Sequence, residues 1–579
     1  MGPDRRSFLT LLAGAPAALY AQGVASRGIT PAARSKPSGL PFNARFTDVS
    51  KEAGLTRPVI YGPDDRKDYI LETVGCGVAF FDYDNDGWLD ILLLSGTHKD
   101  SPPADAINRL YKNNRNGTFT DVTAKAGLAR SGWASSVTIA DYNNDGFEDI
   151  FITYRGQNVL YRNNGDGTFT DVTKQAGLLV SEELWHSGAT WIDYDRDGFV
   201  DLFVATYLDF DFERVPKPGE NTNCNWKGVP VNCGPRGLPS TGHRLYHNNG
   251  DGTFTDVSKR SGIAKIHGSY AMTAVVGDFD NDGWPDIYVA CDSTPSYLFR
   301  NNHDGTFIEE GLERGVALSE DGQEQAGMGV ATGDYDLDGD IDIFKTHFAD
   351  DTCVLYRNDK GVFDDVTIRS GLAVETRFIS WGTGMADLDN DGYPDLFVVT
   401  GSVYPEIEKK LPSYPYKGPR LVYRNLGNGR FEELIEGTGP GVAALHSSRG
   451  CAFGDFDNDG DVDILIMNMG EPPSLLRNDL KPSGNWVQLK LVGTKSNRSS
   501  IGARVTALYG GRKQAQEVTA QSSFYSVNDR RLHFGLGDNK QVDVSIRWPN
   551  GLTETHHNIP INQVVTLTEG QPLKSGAQA

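Results

Sequence analysis

The stretch AFGDFDNDGDVDIL, residues 452–465, places four aspartates within nine positions, at Asp455, Asp457, Asp459 and Asp463. Carboxylates this close repel one another, by about 4 kcal/mol for each near pair at an effective dielectric of about 20. A folded chain tolerates such crowding when a cation binds between the side chains. Hard oxygen ligands of this kind suit Ca²⁺ better than zinc or copper.

The stretch contains the pattern D-x-D-x-D-G-x-x-D, whose side chains at positions 1, 3, 5 and 9 can converge on one ion. The backbone carbonyl at position 7 adds an oxygen ligand, and the glycine at position 6 permits a sharp turn. The pattern resembles the first half of an EF-hand loop, but it lacks the Glu at position 12 of that loop and is flanked by strands. The alternative is a turn rich in Asp, Asn and Gly that holds no metal.

The pattern occurs seven times, and successive copies start 59, 52, 85, 56, 53 and 68 residues apart. Seven copies with oxygen-bearing side chains at positions 1, 3, 5 and 9 favour metal binding over a metal-free turn. We number the copies loops 1 to 7 in chain order. Their predicted ligands, with position 7 contributing its carbonyl, are Asp82, Asp84, Asp86, Trp88 and Asp90 (loop 1), Asp141, Asn143, Asp145, Phe147 and Asp149 (loop 2), Asp193, Asp195, Asp197, Phe199 and Asp201 (loop 3), Asp278, Asp280, Asp282, Trp284 and Asp286 (loop 4), Asp334, Asp336, Asp338, Asp340 and Asp342 (loop 5), Asp387, Asp389, Asp391, Tyr393 and Asp395 (loop 6), and Asp455, Asp457, Asp459, Asp461 and Asp463 (loop 7).

The charge balance of the chain agrees with metal-binding loops. The 579 residues include 77 acidic and 55 basic side chains, for a net charge of −22. The 27 aspartates at positions 1, 3, 5 and 9 account for the excess, since the remaining 50 acidic side chains are fewer than the 55 basic ones. The sequence therefore predicts up to seven structural Ca²⁺ ions. An acidic balance of this size also argues against a nucleic-acid partner.

A second repeated element alternates with the loops and indicates the fold. Segments such as LYRNNGDGTFTDVT (160–173) alternate aromatic and polar residues around a turn, which is typical of a β-hairpin. Each unit thus holds an inner strand, an acidic loop, a second strand and a hairpin, and four strands per unit are typical of a propeller blade. The seventh unit lacks its last strand, and ARFTDVSKEAGL (44–55) at the N-terminus matches it. We therefore predict an all-β fold, a seven-bladed β-propeller closed by this strand, and not an open solenoid.

The loops resemble FG-GAP (VCBS-type) repeats of the integrin α-subunit propeller, with AFGDFDNDGDVD the nearest match. The tail, from GNWVQLKLVGTKSNRSSIGARVTALYGG to VDVSIRWPNG, resembles the ASPIC/UnbV domain. This pairing is the arrangement of bacterial relatives of cartilage acidic protein. The resemblance implies calcium in the Asp loops, with a weaker site where Asn143 replaces Asp. It implies adhesion or binding more than an enzymatic activity.

The predicted domains follow from these repeats. They are a twin-arginine-type signal peptide at 1–25, a flexible lead-in at 26–43, the propeller at 44–483, a small β domain at 484–570 and a tail at 571–579. The signal rests on Arg5-Arg6-Ser7-Phe8-Leu9 and the short apolar stretch that follows, with an ordinary basic N-terminus as the alternative. Export would leave a mature chain without a transmembrane segment, in the periplasm, on the cell surface or outside the cell.

Two cysteines stand apart from the other four. Cys224 and Cys233 lie in NCNWKGVPVNC, a loop rich in Gly and Pro, and no His or further Cys is spaced to complete a zinc site with them. A local disulfide is the prediction for an exported chain.

A ligand face is predicted at the propeller end opposite the acidic loops. The long insertions 206–243 and 401–418 should emerge there, and the inner strands start there. The candidate residues are Trp133, His186, Tyr270, Trp381 and Arg449. The alternative is that they only pack loops and cap strands.

No specific catalytic constellation is present in the sequence, which has neither a G-x-S-x-G elbow nor a phosphate-binding loop. We predict an exported calcium-binding propeller that acts as a non-catalytic binding or adhesion module for a glycan or an extracellular protein. The alternatives are a periplasmic propeller enzyme acting on a carbohydrate or a related small molecule, and a surface-assembly component that docks through its tail.

Overall fold

The computed structural model describes residues 26–481 and 484–573, and the predicted signal peptide lies outside them. Four-stranded sheets recur along the chain, as the repeats predict, and the few helices are single turns. The all-β fold of repeated four-stranded sheets is therefore confirmed. Within the described ranges, no helix is long and apolar enough to cross a membrane.

Residues 46–478 form seven four-stranded sheets, and the strands are numbered here in chain order. Strand β1 (Phe46–Asp48) belongs to the last sheet. Sheet 1 consists of β2 (Val78–Phe81), β3 (Asp90–Leu93), β4 (Arg109–Asn113) and β5 (Phe119–Asp121), and sheet 2 of β6 (Ala134–Ala140), β7 (Asp149–Tyr154), β8 (Val159–Asn163) and β9 (Phe169–Asp171). Sheet 3 consists of β10 (Trp185–Ile192), β11 (Asp201–Leu208), β14 (Arg244–Asn248) and β15 (Phe254–Asp256). Strands β12 (Asn225–Trp226) and β13 (Val229–Pro230) pair with each other inside the insertion between β11 and β14.

Sheets 4 to 7 repeat this order. Sheet 4 consists of β16 (Tyr270–Gly277), β17 (Asp286–Asp292), β18 (Tyr297–Asn301) and β19 (Phe307–Glu309), and sheet 5 of β20 (Val330–Gly333), β21 (Asp342–Lys345), β22 (Val354–Asp359) and β23 (Val362–Asp365). Sheet 6 consists of β24 (Ser380–Ala386), β25 (Asp395–Thr400), β26 (Leu421–Asn425) and β27 (Phe431–Glu433). Sheet 7 consists of β28 (Ser448–Gly454), β29 (Asp463–Asn468), β30 (Ser474–Asn478) and β1.

The inner strands form a ring. Each first strand of a sheet contacts the first strands of the two neighbouring sheets, and β28 contacts β2 to close the circle. Strand β1 pairs antiparallel with β30, with Phe46 opposite Asn478, as the split repeat predicts. Strands β10 and β11 are buried at every position, including the polar residues of β10.

Short helical turns and insertions connect the sheets. The helices are α1 (Leu71–Val74), α2 (Thr123–Ala126) and α3 (Pro440–Ala443), with a 3₁₀ turn at Ile263–Lys265. The insertion between β11 and β14 packs against the one between β25 and β26, where the rings of Trp226 and Tyr414 lie 4.8 Å apart. It also reaches the segment before β2, because Asn232 Nδ2 donates to Lys67 O at 3.3 Å. These insertions come together, as the sequence predicts for one end of the ring.

The C-terminal strands form a separate pair of sheets. One sheet has the order β34 (Leu532–Gly537), β31 (Asn485–Val492) and β37 (Val564–Thr568); the other has β33 (Arg512–Glu517), β32 (Arg504–Tyr509), β35 (Asp543–Arg547) and β36 (Thr553–His556). Strands β31 and β37 pair in parallel. Trp486 and Trp548 are buried, which agrees with a structural role for both.

The segment predicted as a flexible lead-in lies against sheets 5 and 6. Ala32 N donates to Ala373 O at 2.7 Å, and Arg424 NH1 donates to Leu40 O at 2.7 Å. Arg27 forms an ion pair at 2.5 Å with Asp351, whose side chain is fully buried. The chain is thus anchored to the ring well before its first strand.

Candidate metal centres

Each acidic loop connects the first and second strands of one sheet, and the Asp at position 9 is the first residue of the second strand. The glycines at position 6 all have φ between +86° and +97°, a conformation that favours glycine over other residues. The residues at position 4 are also left-handed, with φ between 56° and 61°. The sharp turn expected from the pattern is therefore present in all seven loops.

Position 9 anchors each loop to its hairpin. In loop 3, Asp201 Oδ1 accepts a hydrogen bond from Asn248 N at 2.8 Å, and Oδ2 accepts one from Tyr194 N at 3.3 Å. The equivalent Oδ1 contact occurs in all seven loops, at 2.7 to 2.9 Å. The carboxylate at position 9 is therefore held by backbone donors whether or not it also binds an ion.

Positions 1 and 3 carry buried carboxylate oxygens with no hydrogen-bond partner among residues 26–481 and 484–573. At position 3, Oδ1 is buried and unpartnered in five loops. At position 1, the same atom is unpartnered in loops 3, 4 and 5. A buried carboxylate oxygen without a partner is costly, and the same atom recurs at equivalent positions. These atoms are Asp84, Asp195, Asp336, Asp389 and Asp457 at position 3, and Asp193, Asp278 and Asp334 at position 1.

The ligand atoms of several loops converge. Oxygens of Asp193, Asp195 and Asp201 lie within 4.8 Å of one another, and Asp334, Asp336 and Asp342 form an equivalent group. In loops 1 and 4 the converging residues are those at positions 1, 3 and 5. Such groups of carboxylates match the oxygen coordination that Ca²⁺ prefers, so the residues present fit the ion.

Burial disfavours the charged form of these carboxylates unless a cation lies beside them. Burial, together with the neighbouring aspartates of each loop, raises the pKa of Asp90 to about 8 and that of Asp149 to about 9. Burial likewise raises the pKa of Asp193 and Asp334 to about 7. A divalent ion between the side chains would offset the cost of holding them charged.

A basic residue of the hairpin pairs with the acidic loop in sheets 1 and 3, and sequence reasoning missed it. In loop 1, Lys112 Nζ pairs with Asp84 and lies 3.3 Å from Asp86. In loop 3, His247 Nδ1 lies 3.1 Å from Asp201. The hairpin sequences carried this signal, because the residue before the hairpin asparagine is basic in each repeat. The seven residues are Lys112, Arg162, His247, Arg300, Arg357, Arg424 and Arg477.

An asparagine next to that basic residue links adjacent sheets, and this role was also missed. Asn248 Nδ2 donates to Tyr142 O of loop 2 at 2.8 Å and to Val200 O of its own sheet at 3.0 Å. Each hairpin makes the equivalent contact with the preceding loop, at 2.7 to 2.9 Å. The residues are Asn113, Asn163, Asn248, Asn301, Asn358, Asn425 and Asn478. Their invariance among the repeats was the available signal.

The C-terminal domain covers the acidic-loop face and enters the ring. Its channel segment, residues 519–528, pairs with inner strands, since Val330 N donates to Ser523 O at 2.7 Å and Val137 N donates to Tyr525 O at 3.1 Å. Thr383 N donates to Ser523 Oγ at 3.0 Å. Phe524 and Tyr525 are fully buried, so this segment fills the centre of the ring.

The predicted ligand-face residues are buried. Trp133 packs against Tyr61 with ring centroids 5.4 Å apart, and Tyr270 is covered by the insertion after β11, donating from its OH to Leu238 O at 3.1 Å. Trp381 lies between Arg449, 4.2 Å from its ring, and Phe524, 5.0 Å away. All are at most 8% exposed, so they lie in the core and not on an open face. Their role in binding stays a prediction.

His186 and Arg449 are the two polar residues of the predicted ligand face. Both ring nitrogens of His186 are buried without a partner among the described residues, and burial lowers its pKa to about 3. Burial lowers the pKa of Arg449 to about 10, and its guanidinium donates to carbonyls such as Thr73 O at 2.8 Å. A buried neutral His186 is a poor general acid or base at neutral pH.

The cysteine prediction is met by the geometry. Cys224 and Cys233 are joined in a disulfide that closes the β12–β13 hairpin of the long insertion. Cys76, Cys291 and Cys451 are buried free thiols.

Comparisons with known proteins agree with this architecture. The profile of the FG-GAP-like repeat matches residues 82–152, 141–204, 238–289, 278–345 and 415–466, and that of the ASPIC and UnbV family matches 493–574. Cartilage acidic protein 1 of Homo sapiens is 26% identical over 307 residues, 51% of this chain and 43% of that protein. The Xenopus tropicalis protein is 26% identical over 311 residues, 52% of this chain and 44% of its own length. The match thus spans less than half of these relatives.

Two solved structures align with 70% and 76% of this chain. One, an Agrocybe aegerita lectin described as recognising non-reducing terminal N-acetylglucosamine, is 18% identical, covers 70% of this chain and 93% of its own, and has a TM-score of 0.38. The other, BBS1N in complex with ARL6DN, is 11% identical, covers 76% of this chain and 97% of its own, and has a TM-score of 0.40.

Proposed function

The chain belongs to the FG-GAP-repeat proteins that carry a C-terminal ASPIC and UnbV domain, and from this premise we propose that it is an exported, calcium-dependent binding module. The seven acidic loops hold structural Ca²⁺, and the molecule captures a glycan or an extracellular protein without turning it over. Export through the twin-arginine route places it in the periplasm, on the cell surface or in the medium.

The recurrent unpartnered oxygens are the observation that supports calcium most directly. In five loops of different sequence context, Oδ1 at position 3 is buried and finds no partner among the described residues. Random packing defects would not select one atom at one position of a repeat. A cation ligated by that atom accounts for the recurrence.

The position of the loops supports a structural role for the ion. The C-terminal domain lies over them, and Asp193, Asp278, Asp334 and Asp455 are at most 5% exposed. A catalytic metal needs a coordination position open to substrate, whereas a structural ion can be enclosed. The ion would neutralise the carboxylates and so stabilise the connection between the two strands that each loop joins.

The binding function is tested with the full chain on arrays of glycans and extracellular proteins, in calcium and after chelation. We expect capture of a ligand that is lost on chelation and is never converted to a product. A released product from any captured glycan would contradict the non-catalytic role. Metal content of the dialysed protein, expected close to seven Ca²⁺ per chain, tests the metal assignment separately.

A further inference from the structure

Every acidic loop is contacted by the C-terminal domain. Examples are Ser499 Oγ, which accepts from Asp141 N at 2.9 Å in loop 2, and Arg512 NH1, which donates to Asp391 O at 2.7 Å in loop 6. Lys490 Nζ reaches within 3.9 Å of Asp82 in loop 1. The two parts of the chain therefore meet at the predicted metal centres and not at a neutral surface.

In four loops the contact falls on the same atom, Oδ2 of the aspartate at position 1. Asp334 Oδ2 accepts from Ala515 N at 2.9 Å, and Asp455 Oδ2 accepts from Gln488 Nε2 at 2.9 Å. In loop 3 the donor to Asp193 is Asn497 Nδ2 at 3.5 Å, and in loop 4 the donor to Asp278 is the Arg547 guanidinium. Chemically different donors thus hold one oxygen of equivalent carboxylates.

In loops 3, 4 and 5 the other oxygen of this carboxylate, Oδ1, is available to an ion. Oδ1 of Asp193, Asp278 and Asp334 is buried and has no partner in the part of the chain that the structure describes. In loop 7, Oδ1 of Asp455 already accepts a hydrogen bond from Asp459 N at 3.0 Å, and its second lone pair is left for the ion. In loops 4, 5 and 7, Oδ2 also accepts from the glycine N at position 6, at 2.9 to 3.1 Å, so two donors fix the carboxylate plane. Hydrogen bonds to the non-ligating oxygen orient a carboxylate ligand and set how well it binds a metal.

We propose that the C-terminal domain completes the metal centres of loops 3, 4, 5 and 7, with Asn497, Arg547, Ala515 N and Gln488 as positioning groups for the first carboxylate. This proposal rests on calcium binding by the loops. It has a reciprocal consequence, because linkage requires that an ion bound more tightly in the docked state also stabilises docking. Docking of the domain and insertion of the channel segment are then calcium-dependent.

Gln488 offers the sharpest test. Gln488→Leu in the full chain keeps the volume of the buried side chain but removes the donor to Asp455. The matched control is Gln516→Leu, because Gln516 lines the same cavity of about 140 Å³ and its Nε2 donates to His533 O within the C-terminal domain, at 2.6 Å. Calcium titration calorimetry and Tb³⁺ luminescence are measured on both variants.

We expect Gln488→Leu to lower the calcium affinity of one site roughly tenfold while the other sites keep their affinity. Gln516→Leu should leave the affinity of every site unchanged. Equal affinities in the two variants would overturn the proposal. If the unmodified chain bound no calcium, the proposed metal sites themselves would be overturned. The two failures are therefore distinguishable.

A second measurement needs no substitution and so does not depend on a variant that folds. Hydrogen exchange of residues 519–528 is compared in the unmodified chain with calcium and with EGTA. We expect exchange of this segment to rise on chelation by at least tenfold, under conditions in which the sheets stay folded. Unchanged protection of the segment, with the metal removed, would contradict calcium-dependent docking.

Discussion

At the scale of single residues, Asn143 is the one side chain that departs from the loop pattern. Its Nδ2 donates to Asp145 Oδ2 at 2.9 Å, so position 3 of loop 2 holds its neighbour by a hydrogen bond where the other loops have a carboxylate. Ligand charge sets the affinity of oxygen-coordinated Ca²⁺ sites. Loop 2 should therefore bind its ion more weakly than the others.

Asn143→Asp should strengthen calcium binding at loop 2 by roughly tenfold, or about 1.4 kcal/mol, because it restores the fourth carboxylate. Without calcium the same change should lower the melting temperature, since it adds charge repulsion in a half-buried loop. Calcium titration of both forms measures the first effect. Asn164→Asp, in the exposed hairpin turn of the same sheet, adds the same charge away from the ligands and should leave the affinity unchanged. Equal gains in the two variants would refute a ligand role for position 3.

At the scale of elements, hairpin asparagines connect each sheet to the loop of the preceding one. Asn248 is 1% exposed and donates to carbonyls on two sheets, so it ties loops 2 and 3 together. Position 4 of the loops adds a link in the other direction, as Asn85 Nδ2 donates to Gly146 O at 2.8 Å. Cooperativity between sheets thus has a specific polar component besides apolar packing.

Asn248→Ala should destabilise the chain by about 2–4 kcal/mol, because it leaves two buried carbonyls and Gly250 N without their side-chain partner. Asn249→Ala is the matched control. Asn249 is exposed and bonds only within its hairpin, to the side chains of Thr253 and Thr255, so its loss should cost under about 1 kcal/mol. The free energy of unfolding of the two variants is compared by denaturant unfolding in saturating calcium. Equal losses would show that the asparagine does not link the sheets.

Glu471 links the insertion of sheet 6 to sheet 7 and makes that contact sensitive to acid. Hydrogen bonding to His446 at 3.1 Å, with Lys417 at 2.7 Å, lowers its pKa from 4.5 to about 2. Because the folded pKa is the lower one, the stabilisation is fully present above about pH 4.5 and is lost as the pH falls toward 2.

Glu471→Gln should cost about 1 kcal/mol at pH 6, since solvent screens the partly exposed group, and progressively less below pH 4.5. Unfolding of both forms between pH 6 and pH 3 measures the difference. A difference that stays constant over this range would mean that the carboxylate is not responsible.

The repeats of the sequence predict the local structure of the fold and of the candidate site better than they predict contacts between distant segments. The order of strands and the shared conformation of the acidic loops followed from the repeat, because seven copies of one local pattern must fold alike. The role of Asn248 needed the spatial relation of neighbouring sheets, although its recurrence was visible. The docking of Gln488 on Asp455 and of Ser523 between inner strands joins non-repeating segments distant in sequence, and no periodic pattern indicates such contacts. Burial of Trp381 and Arg449, which the sequence left open as the alternative to a ligand face, depends on such distant contacts as well.

At the scale of the whole molecule, the ring, the loops and the C-terminal domain form one connected structure. The C-terminal domain contacts all seven loops while residues 519–528 fill the ring, so the loops lie at the junction of every large part. At millimolar calcium and affinities of about 10⁻⁴ M, each ion would add about 1.4 kcal/mol of stability. Seven independent ions would together add about 10 kcal/mol, comparable to the whole stability of a typical domain.

The most direct test of the central claim, that the loops hold structural calcium, is thermal unfolding of the full chain with 1 mM calcium and with EGTA, with bound metal counted in the same samples. We predict close to seven ions per chain and a melting temperature lowered by about 10 °C on chelation, given the size of the ring. A chain that binds no calcium and unfolds at the same temperature in both conditions would contradict the account, and the acidic loops would then be turns alone.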